Sequence, residues 1–92
     1  MTRTIHAIAI ESNSSGAIDW YDTEAEARTV FDAAVANVVW ADNDINRFAF
    51  DVPDDTHDDE VTLEADTRMW ELDYTAIERR AATEGDDIFL PR

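Results

Sequence analysis

The chain has 92 residues, of which 22 are Asp or Glu and seven are Arg, and its formal net charge is −15. We expect residues 1–92 to form one domain with a folded core, because the length suits one core and 45% of the residues are hydrophobic. The acid excess excludes nucleic acid and anionic membranes as direct partners, and the absence of Cys excludes disulfides and thiolate chemistry.

Two apolar segments near the start of the chain predict a β-hairpin. Residues 4–12, TIHAIAIES, alternate Ile with small residues, which is typical of a covered strand. After the loop SNSSG, the segment AIDWYD places Ile18 and Trp20 on one side. We predict that the two segments pair in antiparallel fashion, with Gly16 in the connection.

A long helix is predicted to follow. Thr23 and Glu26 have the spacing of a capping box, which marks a helix start. Seven apolar residues at helical spacing predict a face that packs on the sheet: Ala27, Val30, Phe31, Ala34, Val35, Val38 and Ala41. Trp40 falls on the outer face of this predicted helix. Either the C-terminal tail or the next loop covers it, or it makes a contact with a partner or a second copy in a homodimer.

The middle of the chain predicts two more strands. Residues 45–52, INRFAFDV, alternate Phe48, Phe50 and Val52 with other residues, which indicates a half-buried strand. After the acidic loop PDDTHDD, residues 60–66 alternate apolar residues with acidic and polar ones. This alternation predicts a strand whose core face is Val61, Leu63 and Ala65.

The segment that follows is compatible with a strand or a helix in its first part. The alternation of Trp70, Leu72 and Tyr74 favours a strand up to Tyr74. Thr75 and Glu78 then have the spacing of a second capping box, which predicts a helix up to Gly85. We expect the short tail with Ile88, Phe89 and Leu90 to dock back on the domain.

Together these elements predict an α+β fold. We expect an antiparallel sheet of four or five strands, one long helix packed on a face and a second, C-terminal helix, in the order ββαββ(β)α. The apolar run at the start is too short for a signal peptide, and no segment reaches the ~20 apolar residues of a membrane span. A cytoplasmic protein is therefore expected, in the cytoplasm of the host cell if a phage encodes it.

Few residues suggest catalysis or metal binding. The grouped Ser residues and the two His residues, His6 and His57, form no recognisable catalytic pattern, so we expect neither enzymatic activity nor a cofactor. Residues 42–46, DNDIN, begin like a calcium loop, but Arg47 stands where Gly is needed and Pro53 at the twelfth position. No metal site is predicted, although Asp55, His57 and Asp59 could chelate a divalent ion loosely.

The most unusual segment is residues 51–66, DVPDDTHDDEVTLEAD, with eight carboxylates and no Arg or Lys. On a strand, alternate side chains point the same way and lie roughly 6.7 Å apart, so these acids would form a line of negative charge. Nucleic acid presents such a line to basic proteins. The predicted partner-binding residues are Asp54, Asp55, Asp58, Asp59, Glu60, Glu64 and Asp66, with Asp42, Asp44 and Asp51 as extensions.

The segment WYDTEAEA, which opens the helix after a short hairpin, and the strands that follow it in a small acidic chain resemble small phage and mobile-element proteins. These include anti-CRISPR proteins and other DNA mimics, and the resemblance covers the order of elements and the charge. It implies non-enzymatic inhibition, by occupation of the nucleic-acid-binding site of a basic host protein such as a subunit of a CRISPR effector complex. The alternative is a halophile-type acidic binding or assembly module, with acids spread over its whole surface and no mimicry.

Overall fold

The computed structural model describes residues 1–12 and 16–81, most of which lie in four strands and two helices. The elements are β1 (Thr2–Glu11), β2 (Gly16–Tyr21), α1 (Glu24–Ala36), a 3-10 helix (Val38–Trp40), β3 (Asp44–Pro53), α2 (Asp58–Glu71) and β4 (Glu78–Arg80). The strands form one antiparallel sheet in the order β2-β1-β3-β4. The predicted α+β class, the four-stranded antiparallel sheet and the initial hairpin are confirmed. The predicted order of the later elements is wrong, because α2 comes before the last strand.

Two apolar clusters form the core, one on each face of the sheet. The cluster that joins α2 to the sheet consists of Ile5, Ala7, Ala9, Phe48, Phe50, Val52, Val61, Ala65 and Met69. The cluster that joins α1 to the sheet consists of Ile8, Ala27, Phe31, Ala34 and Ile45. Successive side chains of a strand point to opposite faces, so β1 and β3 contribute to both clusters. The predicted strand with Phe48, Phe50 and Val52 on one face is confirmed, but β3 is not half-buried, because Ile45 and Arg47 on its other face are buried as well.

Helix α1 begins where the capping box predicted, but it ends earlier. The Thr23 hydroxyl accepts the Glu26 backbone N–H at 3.2 Å. The helix stops at Ala36 because Asn37 adopts an extended conformation and its side chain accepts the N–H of Val39 at 3.0 Å. Val38 is therefore exposed rather than part of the core.

The sequence predicted Trp40 on the outer face of a helix, and this placement is wrong. It belongs to the 3-10 helix after α1, and its half-buried ring packs against the cluster under α1. Its carbonyl oxygen accepts the Asn43 N–H at 3.0 Å and a guanidinium N–H of Arg80. The early end of α1 turns this side chain inward, so the exposed placement on which a homodimer contact depended is wrong.

Residues 58–71 form helix α2, and the strands predicted over residues 60–66 and up to Tyr74 are wrong. The packed apolar residues are Val61, Ala65 and Met69, spaced four apart, whereas Leu63 is exposed. Side-chain pairs at the same spacing support the helix: Glu64 pairs with Arg68 at 2.7 Å, and Asp66 accepts the Trp70 indole N–H at 3.0 Å. Alternation alone could not separate the two structures, because Val61 and Ala65 fit both periods.

The chain after α2 returns to the sheet as a strand. Leu72 takes the left-handed conformation, with φ 55° and ψ 33°, and ends α2. Tyr74 then stacks on Phe48 with ring centroids 4.3 Å apart, and β4 pairs with β3. The predicted helix from Thr75 is wrong, because Glu78–Arg80 form strand β4 instead. The predicted end of that helix at Gly85 and the docking of Ile88, Phe89 and Leu90 lie outside the described residues.

Tyr74 makes the fold less stable at alkaline pH. Its hydroxyl donates to Glu11 Oε2 at 2.8 Å, and burial, followed by this carboxylate, raises the pKa of Tyr74 above its ordinary value of 10. Burial, with Asp19 and Glu26 nearby, also raises the pKa of Tyr21. Above pH 10 the unfolded chain loses tyrosine protons that the folded chain keeps, so each further rise in pH favours unfolding.

We expect the free energy of unfolding to fall as the pH rises above about 10 and the Tyr74→Phe variant to show a shallower fall, because Phe has no proton to lose. Urea unfolding at several pH values between about 8 and 11 measures both slopes. Tyr21→Phe serves as the comparison, since it should remove only the contribution of Tyr21. Identical slopes for the wild type and Tyr74→Phe would contradict this prediction.

Candidate acidic binding surface

Both helices begin at the same end of the sheet. β2 ends at Tyr21, which pairs with His6 in the first half of β1, and β3 ends at Pro53, which pairs with Thr2. Short connections lead from these strand ends to α1 on one face and to α2 on the other. The topology therefore brings the N-termini of the two helices to one end of the molecule.

This end collects acidic side chains, and we call it the acidic end. It is defined by nine exposed residues in β3, the two connections and the first turns of the helices: Asp22, Glu24, Glu26, Asp51, Asp54, Asp55, Asp58, Asp59 and Glu60. The first turn of a helix favours carboxylates, because the aligned peptide dipoles leave a partial positive charge there. The helix dipoles therefore stabilise the carboxylates in the first turns of α1 and α2.

Arg3 lies within the acidic end and connects its two halves. Its Nη1 is 3.3 Å from Asp22 Oδ1, just before α1, and its Nη2 is 3.5 Å from Asp58 Oδ1, at the start of α2. Nη2 also donates to the Thr56 carbonyl at 3.0 Å, and the guanidinium lies 5.8 Å from the centroid of the Trp20 ring. These contacts fix the β3–α2 connection to β1.

The positive charges are distributed unequally between the acidic end and the rest of the molecule. Arg3 is the basic residue among the nine acids, although Arg47 Nη1 also reaches to 3.6 Å from Glu24 Oε2 and Arg28 lies one turn further along α1. The remainder of residues 1–12 and 16–81 has ten acids and five arginines. The excess of negative charge is therefore greatest at the acidic end.

The structure brings six of the ten predicted site residues together and separates the other four. Six belong to the acidic end, where they lie on a strand end, a turn and a helix rather than along one strand: Asp51, Asp54, Asp55, Asp58, Asp59 and Glu60. Glu64 and Asp66 lie further along α2, in contact with Arg68 and Trp70. Asp42 and Asp44 lie towards the opposite end of the sheet, and Asp44 Oδ2 is 3.7 Å from Arg79 Nη2.

Sequence reasoning missed three members of the acidic end. Glu26 was interpreted only as part of the capping box, and Asp22 and Glu24 were not proposed as site residues. They join the acids of the β3–α2 connection because β1 pairs with both β2 and β3 in antiparallel fashion. Both groups of acids were visible in the sequence, but only the strand order places them side by side.

An open depression of about 460 Å³ lies at the start of α2, lined by Arg3, Thr56, His57, Asp58 and Asp59. Its lining is polar and charged, so it can receive guanidinium or ammonium groups. In the part of the chain that the structure describes, no three His, Asp or Glu side chains are grouped to hold a metal ion, and this includes Asp55, His57 and Asp59. The chemistry that this surface offers is the binding of cationic groups.

Comparison of the chain with protein-family models, with curated proteins and with solved structures gave no match. Neither α1 nor α2 has the length and apolar character that a helix needs to cross a bilayer. The function is therefore inferred from the geometry and charge of the acidic end itself.

Proposed function

We propose that this protein is a non-enzymatic inhibitor that presents its acidic end to a basic, nucleic-acid-binding protein and occupies the site where the nucleic acid would bind. One observation carries the proposal: nine exposed carboxylates gather at one end of a folded scaffold, where Arg3 pairs with two of them and Arg47 reaches a third. The resemblance of the chain to small acidic phage proteins, including anti-CRISPR proteins, makes a subunit of a CRISPR effector complex in the cytoplasm of the host cell the expected target.

The electrostatics of such a surface suit this role. A groove that binds nucleic acid collects Lys and Arg, because each phosphate that it neutralises releases a counterion. Carboxylates held on helix starts and short connections offer the same groove an anionic array that need not be ordered on binding. A single exposed ion pair contributes at most about 1 kcal/mol. Together, however, complementary charges raise the association rate and make binding depend on salt.

The test is displacement of a labelled target duplex from a guide-loaded CRISPR effector complex and, for comparison, from a non-specific basic DNA-binding protein. The variant Asp55→Asn, Asp59→Asn, Glu60→Gln removes three charges from the acidic end without touching the residues that contact Arg3. We expect it to inhibit about tenfold less well than the wild type, and inhibition by the wild type to weaken between about 50 mM and about 200 mM salt.

The matched control removes three charges from exposed positions elsewhere: Asp19→Asn, Asp32→Asn, Asp73→Asn. Its inhibition should stay close to that of the wild type, because these residues lie outside the acidic end. Equal losses in the two variants would favour the salt-adapted module instead. If the wild type displaces the duplex from neither protein, the proposed function is wrong.

A further inference from the structure

Helix α2 exposes two large apolar side chains on its outer face. Leu63 is 65% exposed and Trp70 is 58% exposed. They are seven residues apart, which is two helical turns, so they lie on the same side of α2, with the exposed Thr67 between them. We call Leu63, Thr67 and Trp70 the outer face of α2. It is opposite the residues Val61, Ala65 and Met69 that pack on the sheet.

The indole of Trp70 is held in position although it is exposed. Its Nε1 donates to Asp66 Oδ1 at 3.0 Å, one turn earlier in α2. A Cβ atom added at Gly16 would lie 3.5 Å from Trp70 Cη2 and 3.2 Å from Met69 Cε, so glycine at the start of β2 leaves room for both side chains. A fixed aromatic ring loses little conformational entropy when a partner covers it.

Acidic residues border the outer face of α2 and connect it to the acidic end. Asp59 and Glu60 lie one turn before Leu63 and belong to the acidic end, while Asp66 and Glu71 flank Trp70. An apolar face bordered in this way complements a protein surface on which an apolar depression is surrounded by Lys and Arg. It does not complement a second copy of itself, because pairing two such faces would bring like charges together.

We infer that the outer face of α2 is the apolar part of the interface with the basic partner, continuous with the acidic end. The inference rests on the proposed function and adds that this apolar face slows dissociation of the complex. Electrostatic attraction acts mainly on the association rate, whereas buried aromatic and aliphatic side chains at the centre of an interface slow dissociation. Trp70 and Leu63 supply such side chains within reach of the acidic end.

The test uses two synthetic peptides of equal length and equal arginine content, one with only Gly and Ser at the other positions and one with Leu and Ser. Calorimetry should show that the wild type binds the Leu-containing peptide about tenfold more tightly than the Gly-containing one. The variant Leu63→Gln, Trp70→Gln should lose this preference but keep its binding of the Gly-containing peptide. The indole N–H resonance of Trp70 should shift on binding, while that of Trp40, which packs against the cluster under α1, stays in place.

The matched control is Val38→Gln, Val39→Gln, which removes an exposed apolar pair remote from the acidic end, after α1. It should keep the full preference for the Leu-containing peptide. If the wild type binds both peptides equally, the inference is overturned while the proposed function stands; if it binds neither, both are overturned. A wild-type dimer in sedimentation that the Leu63→Gln, Trp70→Gln variant abolishes would also overturn it, because a second copy would then occupy this face.

Discussion

Replacing Arg47 by alanine should lower the free energy of unfolding by about 3 kcal/mol, the lower end of the range for breaking a buried ion pair. The Arg47 side chain is 4% exposed, its Nε donates to Glu78 Oε1 at 3.0 Å, and its Nη1 lies 3.6 Å from Glu24 Oε2. It therefore connects β3 with β4 and with the first turn of α1. Glu78 and Glu24 are partly exposed and regain water when Arg47 is lost, which limits the cost.

Arg79→Ala is the matched control for this prediction. Arg79 is 60% exposed and lies 3.7 Å from Asp44, so its loss should change the free energy of unfolding by no more than about 0.5 kcal/mol. Arg47→Met, which fills most of the vacated volume, should be less harmful than Arg47→Ala. Urea unfolding measures all three, and hydrogen exchange should show faster opening of β4 in Arg47→Ala. Similar losses for Arg47→Ala and Arg79→Ala would show that the buried contacts add no stability.

Salt should stabilise this protein strongly. Two carboxylates about 6 Å apart in water repel each other by about 0.7 kcal/mol, and the acidic end holds nine. Raising NaCl from about 10 mM to about 1 M shortens the screening length from about 30 Å to about 3 Å and removes most of this repulsion. We expect a gain of about 2 kcal/mol, which corresponds to a rise in Tm of about 10 °C for a domain of this size.

The two charge variants locate the origin of this salt effect. Asp55→Asn, Asp59→Asn, Glu60→Gln should show a smaller rise in Tm with salt than Asp19→Asn, Asp32→Asn, Asp73→Asn, because its three charges have more acidic neighbours. Thermal melts followed by circular dichroism at several salt concentrations make the comparison without any partner. A Tm that does not change with salt in the wild type would contradict the strong repulsion inferred here.

Local patterns were sufficient to predict the hairpin, β3 and the start of α1. The Thr23 cap involves residues three positions apart, and the faces of β3 follow from simple alternation. The same alternation misled over α2, where Leu63 fits a strand with Val61 and Ala65 but is exposed in the helix. The pairs Glu64–Arg68 and Asp66–Trp70, each four residues apart, were the signal in the sequence that favoured a helix over a strand.

The acidic end could be predicted only in part, because its two halves are far apart in the chain. The run from Asp54 to Glu60 was visible as a cluster, but its shape depended on whether a strand or a helix followed. The addition of Asp22 and Glu26 depends on the antiparallel pairing of β1 with both of its neighbours. That pairing is a property of the whole sheet, and no short segment specifies it.

The position of both helix starts at one end also determines how the molecule behaves before contact. Within the described residues, negative charge gathers at that end, while Arg79 and Arg80 lie beside Ile45 and Asn46 towards the other. Charges separated in this way give the protein an electric dipole moment along its strands. The electric field of a basic partner protein exerts a torque on this dipole. The protein should therefore turn its anionic pole forward during diffusion, so that a larger share of random collisions begins in the productive orientation.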